Sequence, residues 1–316
     1  MSENFSYSKI DTYEQCKFKF KLKYLDGHYL FSGSVATEFG TLIHKTEESI
    51  ANFIRAGEAI DYPSLKNNII VKMAEIESRY PADFSEKDKS DRTYKDKMYE
   101  YLDDKIYRLE RFMKAHPTYE IVGTEQDFKV AYNDKYVFKG FIDRVIHDKA
   151  TNRYLIQDIK TWPVPAEADE LTTPLQFVFY TMAAEDLYKC DKDQVSCEYD
   201  LPFCDGNQPA GSPGYMTRGM KKLEKLFGGI ESGDWEPNPT PLCHWCEYNP
   251  MLEKNKANLD KAGPTACCPY FSLWDHKGDS RYKESLLKWG GDANIGSDQK
   301  ILQTMMKQQK GKRLVE

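Results

Sequence analysis

Apolar positions along the chain follow two rhythms, and the change between them divides it. Up to about residue 116 they recur at helical spacing. Residues 7–25 read as one helix entered through Ser8 or Asp11, with Ile10, Tyr13, Cys16 or Phe20, and Tyr24 along one side. A small-residue loop at 31–38 leads into EFGTLIHKTEESIANFI, an amphipathic helix with Leu42, Ile43, Ile50 and Phe53 on its apolar side. Residues 61–115 are helical and highly charged, with breaks near Tyr62-Pro63 and Tyr80-Pro81. Within them, 85–116 predicts one long exposed helix whose charge run is a solvated face. The stretch 45–118 therefore forms a helical insert or lobe.

From 119 the period shortens. YEIVGTEQDFKVAY (119–132) predicts a strand, and Glu125 within it reads as exposed. KYVFKGFIDRVIH (135–147) and RYLIQDIKTW (153–162) predict two more strands, joined by the short polar linker DKATN as an antiparallel hairpin. After a loop at 162–174, PLQFVFYTMAAEDLYKC returns to helix with Pro174 at its start. VSCEYDLPFC is a further strand, and 214–233 is a basic helix closed by Gly228 and Gly229. A weak helical tail, DQKILQTMMKQQKGKRLVE, ends the chain, and no internal repeat is visible. Strands flanked by helices on both sides in sequence give an α/β (α+β) protein.

The hairpin carries chemistry. Asp158 and Lys160 are two apart in a strand and share a face. A register centred on Ala150 and Thr151 sets Asp143 opposite Asp158, where like charges at roughly 5 Å destabilise the pair. A hard divalent cation reverses that penalty, because carboxylate oxygens are what Mg²⁺ and Mn²⁺ prefer. An Asp-x-Lys triplet alone is common by chance. Here Leu155, Ile156 and Ile159 surround it, so the strand is largely buried and its charge needs a partner.

Composition changes the picture in three places. Hydrophobic content of 40% with 30% charged residues describes a soluble globular chain, and a net charge of −6 does not announce a nucleic-acid partner in bulk. The opening MSENFSYSKI is polar and no apolar run reaches the ~20 residues that span a bilayer, so a cytoplasmic, membrane-free protein is expected. Without a secretory leader, eight cysteines crowded towards the C-terminal half read as reduced and partly metal-bound. Cys243-x-x-Cys246 and Cys267-Cys268-Pro269 stand out, while Cys190, Cys197 and Cys204 read as core thiols.

Taken together these residues resemble the PD-(D/E)XK nuclease superfamily, in its RecB-like branch with a four-cysteine iron–sulphur cluster. The AddB nuclease domain and the CRISPR-associated exonucleases belong there. His44 in GTLIH, Asp143 in GFIDRV, Asp158-Ile159-Lys160, and Gln176-Phe-Val-Phe-Tyr180 occur in the family's order. So do Cys16, Cys243, Cys246 and a Cys-Pro, for which Cys268 is chosen over Cys267. Each is weak alone; in correct order over about 260 residues they are specific. The spacing departs from the family in one place: twenty-one residues lie between Cys246 and Cys268.

The resemblance implies a restriction-endonuclease-like core in a single nuclease domain over 1–316. It implies a mixed central sheet at 119–205 and a cluster segment at 240–270 that Cys16 joins as a clasp. It implies phosphodiester hydrolysis with Mg²⁺ or Mn²⁺ held by His44, Asp143, Asp158 and the carbonyl of Ile159. Lys160 would orient the attacking water, and Gln176 and Tyr180 would position the substrate strand and the lysine. A histidine ligand favours Mn²⁺. The cysteines would hold a 4Fe-4S cluster, with Zn²⁺ as the alternative. The expected partner is DNA, single-stranded or at duplex ends, in repair, recombination or processing. The helical lobe would roof the channel. No G-x-x-x-x-G-K-[ST] is present, so an unwinding helicase would be a separate chain. Two other classes fit parts of the pattern: a catalytically inactive DNA-binding subunit, and a zinc-stabilised interaction protein.

Overall fold

A computed structural model describes residues 3–30, 33–204 and 206–271; the expected C-terminal helical tail lies outside them. In chain order the elements are β1 (Glu3–Phe5), α1 (Tyr7–Gln15), α2 (Lys17–Phe20), α3 (Val35–Ala56), α4 (Tyr62–Arg79), α5 (Pro81–Ser85), α6 (Tyr94–Asp103) and α7 (Arg108–Ala115). The strands β2 (Tyr119–Ala131), β3 (Tyr136–Asp148) and β4 (Arg153–Ile159) follow, then α8 (Ala168–Thr172), α9 (Leu175–Tyr188), β5 (Val195–Asp200), β6 (Gln208–Ala210), α10 (Tyr215–Ser232) and α11 (Glu253–Ala262). The described residues group into two compact units, 3–7 with 33–224, and 8–30 with 225–271.

The first unit is built on a six-stranded mixed sheet. β3 is its spine: β2 runs antiparallel along nearly its whole length, while β4 and β1 share its other edge. The β3–β4 ladder runs from Asp148↔Arg153 to Arg144↔Gln157, the register centred on Ala150 and Thr151. β4 and β5 are parallel, which requires a crossover, and α9 supplies it. β1 is too short for a pattern to show in the sequence.

The helical lobe obeys local chemistry at its ends. The Ser34 hydroxyl accepts from the Thr37 N–H to open α3, and Gly57 at φ 68° closes it. Asp61 caps α4, with Pro63 in its first turn. The helix expected over 85–116 is instead two helices and a 3₁₀ turn, with α6 opened by a Thr93–Asp96 capping box. It is not exposed throughout. Met98, Tyr101, Leu102, Ile106 and Leu109 are buried in one cluster with Ile43 and Ile50 of α3 and Ile121 and Ile146 of the sheet. A helical stripe of apolar residues wins over the charge between them. The lobe's apolar side is thus a layer on the sheet.

The second unit is assembled from two distant pieces of chain. The helix expected over 7–25 is interrupted at Cys16, whose φ of −160° and ψ of 112° are extended, and it ends in a π-helical turn at Lys21–Leu25. α10 does not close at Gly228-Gly229. Gly229 serves close approach, since a Cβ there would lie 2.4 Å from the Tyr13 hydroxyl. The chain turns instead at Gly233, φ 72°. Phe20 stacks on Trp235, and Tyr13 donates to the Asp234 carbonyl at 3.1 Å. Among the described residues, no helix is long and apolar enough to cross a membrane.

Candidate active site

Where the β3–β4 ladder ends, two acids meet. Asp143 and Asp158 are the next pair in register after Arg144↔Gln157. Asp143 reaches across, and its Oδ2 accepts from the Ile159 N–H at 2.7 Å. Ile159 itself is buried. Asp158 is 1% exposed at the inner end of β4. Its Oδ1 accepts from Gln176 Nε2 at 2.8 Å and from the Tyr180 hydroxyl at 3.3 Å, and those two side chains bond each other at 2.8 Å. Their spacing of four puts them on one face of α9. Lys160 Nζ lies 2.6 Å from the other oxygen, Oδ2.

α3 contributes His44, whose Nδ1 stands 3.5 Å from Asp143 Oδ2. Glu125, expected to be exposed, is half-buried and joins them. Ligand atoms of His44, Glu125 and Asp143 lie within 4.8 Å of one another, the one such trio among the described residues. Glu125 sits at φ 41°, and the β2–β3 register, Thr124↔Arg144 and Gln126↔Ile142, sets it opposite Asp143 on one face. No glycine or asparagine at that position signals the positive φ in the sequence.

Electrostatics follow from crowding. Burial pushes the Asp158 carboxyl up to about 6; Lys160 opposes this and Asp143 adds to it. Glu125 is raised by burial and by Asp143. Burial disfavours a charged His44, but its contact with Asp143 outweighs that and raises its pKa. Tyr180 is held well above the usual range, chiefly by burial. Three acids in such a space repel one another as anions, and one histidine only partly offsets them. Their hard donor set fits a divalent cation, which would relieve the repulsion.

The second unit gathers the other expected set. Cys16, Cys243, Cys246 and Cys268 line one cavity of about 170 Å³ with Phe18, Trp245 and other mainly apolar neighbours. Cys267 is elsewhere, packed with Leu259 and Ala266. Burial pushes the Cys246 thiol up to about 12 and Cys268 well up, with neighbouring cysteines adding to both. Of the remaining thiols, Cys197 is buried, whereas Cys190 and Cys204 are partly exposed.

A family model described as the PD-(D/E)XK nuclease superfamily matches residues 4–251. No curated protein matches the chain. Among solved structures it is similar to a crystal structure of a "Putative exonuclease" from Eubacterium rectale. The identity is 11%, the TM-score 0.42, and the match covers 79% of this chain and 90% of that one. With a mixed sheet flanked by helices and a family match over most of its length, the chain belongs to the PD-(D/E)XK nuclease superfamily and has its restriction-endonuclease-like fold.

Proposed function

We propose that this nuclease is a metal-dependent exodeoxyribonuclease acting on single-stranded DNA or duplex ends, in DNA repair, recombination or processing. The observation that carries the reading is the convergence of Asp158, Asp143, His44 and Lys160 at one strand end, with Gln176 and Tyr180 bonded to Asp158. His44, Asp143 and Asp158 would hold Mg²⁺ or Mn²⁺, with Glu125 beside them and the Ile159 carbonyl as the family's backbone ligand. When bound, the cation supplies charge neutralisation at the phosphate and acidifies water. Lys160 orients the attacking water and stabilises the charge that builds on the phosphoryl oxygens. Gln176 and Tyr180 hold Asp158 in place and shield one of its oxygens, leaving the other towards Lys160.

The cysteines are read as ligands of a 4Fe-4S cluster that clasps the two chain segments of the second unit. Four cysteines lining one cavity, in the order the RecB-like branch has them, support this reading, and zinc is the alternative the same thiolates could hold. The end-directed part of the proposal rests on resemblance to the RecB-like exonucleases, with a separate helicase as the expected partner. The test is Mn²⁺-dependent digestion of labelled linear and covalently closed circular single strands. Linear strands should be degraded progressively and circles spared. Circles cut at the linear rate would make the enzyme an endonuclease, and no cleavage of any DNA would remove the nuclease reading.

A further inference from the structure

On the sheet face opposite Asp143 and Asp158 lies a buried charged group that their chemistry does not use. By strand alternation, Arg144 and Gln157 point away from the two acids next to them. The Arg144 side chain is 1% exposed. Its Nη1 donates to Gln157 Oε1 at 2.8 Å and Asp200 Oδ2 at 2.9 Å, and its Nη2 donates to Glu47 Oε2 at 3.0 Å. Glu47 also accepts from the buried Tyr101 hydroxyl at 2.8 Å, Asp200 also pairs with Arg108, and Gln157 donates to Glu198 at 2.7 Å. Arg144 Nε has no partner among the described residues.

Each partner of the guanidinium is one short step from a group on the other face. Glu47 follows His44 by three residues on α3, nearly one turn. Arg144 follows Asp143, and Gln157 precedes Asp158. The Asp200 carbonyl accepts from the Lys160 N–H at 2.9 Å. One planar fork therefore binds together α3, β3 and β4, which carry the histidine and both acids, and β5, whose Asp200 carbonyl holds the N–H of the lysine. Such a buried array is weak evidence for stability, because well-packed apolar side chains usually serve stability as well or better. A rigid bidentate fork does fix relative orientation, which a flexible ammonium cannot.

We infer that Arg144, through Glu47, Asp200 and Gln157, is a positioning residue that sets the spacing of His44, Asp143, Asp158 and Lys160 from behind the sheet. This rests on the metal-site reading above. Groups that orient ligands in this way typically change metal affinity or activity 10–100-fold when altered. The experiment compares full-length wild type with Arg144→Lys and Glu47→Gln, and with Ile146→Val as a core change on the same face. Mn²⁺ binding is measured by calorimetry, kcat and KM on single-stranded DNA, and folding by circular dichroism.

Folded Arg144→Lys or Glu47→Gln should bind Mn²⁺ about tenfold more weakly, with kcat down about 10–100-fold and KM within about twofold. Ile146→Val should keep wild-type Mn²⁺ affinity. Wild-type affinity and kcat in both charge variants overturns the proposal. So does an equal loss in Ile146→Val, or failure of both charge variants to fold, since each points to a purely structural array. If wild type binds Mn²⁺ but cuts nothing, the nuclease reading falls and the affinities still decide this one. If wild type binds no Mn²⁺, both fall.

Discussion

The two clusters of metal-type donors in this chain are built on opposite plans. Around Asp143 and Asp158 the donors are oxygens and one imidazole, fixed by strand ends and two helices, and packed within hydrogen-bond reach. Around Cys16 the donors are sulphurs on turns and helix breaks, lining a cavity. Regular structure holds the first set at spacings suited to a small hard ion. Irregular backbone holds the second, where a larger soft group would itself be part of the fold. On the proposed reading, chemistry falls to the first set and assembly to the second.

The sharpest way to break that comparison is to delete chemistry without touching assembly. Asp158→Ala or Lys160→Ala should lower nuclease kcat by at least about a thousandfold, as loss of a group essential to transition-state charge does. The protein should stay folded and keep its cysteine-bound metal and any colour. Substantial activity in either purified variant would remove these residues from the site.

The converse deletes assembly. Cys16→Ala or Cys246→Ala should bleach a brown, anaerobically purified protein and lower its midpoint of thermal unfolding by several degrees, since a metal bound only by the folded state contributes directly to stability. Mn²⁺ affinity at the acids should change much less. A colourless wild type with stoichiometric zinc and no iron would assign the cavity to zinc.

The oxygen-rich set should also behave as a strained group of anions when no metal is present. A carboxyl whose folded pKa exceeds its unfolded value holds extra protons in the native state between the two. Asp158, ordinarily near 4 and here about 6, therefore lowers stability progressively as pH rises from about 4 to about 6, by on the order of 2–3 kcal/mol in full. Metal-free Asp158→Asn should outlast wild type on heating at pH 8 and match it near pH 4. A difference independent of pH would show that the carboxyl is not strained. In wild type, Mn²⁺ affinity should fall below about pH 6, as protons compete for that carboxyl.

How much of this was legible depended on what encodes each part. Strand period and a five-residue linker carry the β3–β4 register, so Asp143 opposite Asp158 could be read directly. The Gln176–Tyr180 pair follows from helical spacing alone. The break at Cys16 could not be read, because its surroundings keep helical period and its backbone departs through tertiary contacts such as Asn238 donating to the Gln15 carbonyl. The charged stretch 85–116 misled because charge density masked the stripe from Met98 to Leu109. The Arg144 array was illegible for the same reason as most buried ion pairs: Glu47, Arg144 and Asp200 are far apart in sequence, and each alone reads as surface.

Glu125 is the smallest expected effect and the closest test of how the oxygen-rich set differs from the cysteines. The β2–β3 register, Thr124↔Arg144 and Gln126↔Ile142, sets this acid opposite Asp143, and it lies beside His44 as well. It has no role in the motif order that the sequence shows, so its share in metal binding is a matter of local charge. Removing that charge with Glu125→Gln keeps the shape and one acceptor oxygen. Mn²⁺ affinity should fall about tenfold, the low end for a group that supports ligands, with kcat at saturating metal nearly restored. The metal-free protein should become slightly more stable at pH 8, because one of the repelling anions is gone. Asp127→Asn, exposed two residues along the same strand, should do neither. Equal, small changes in both variants would make Glu125 a bystander and return the site to His44, Asp143 and Asp158.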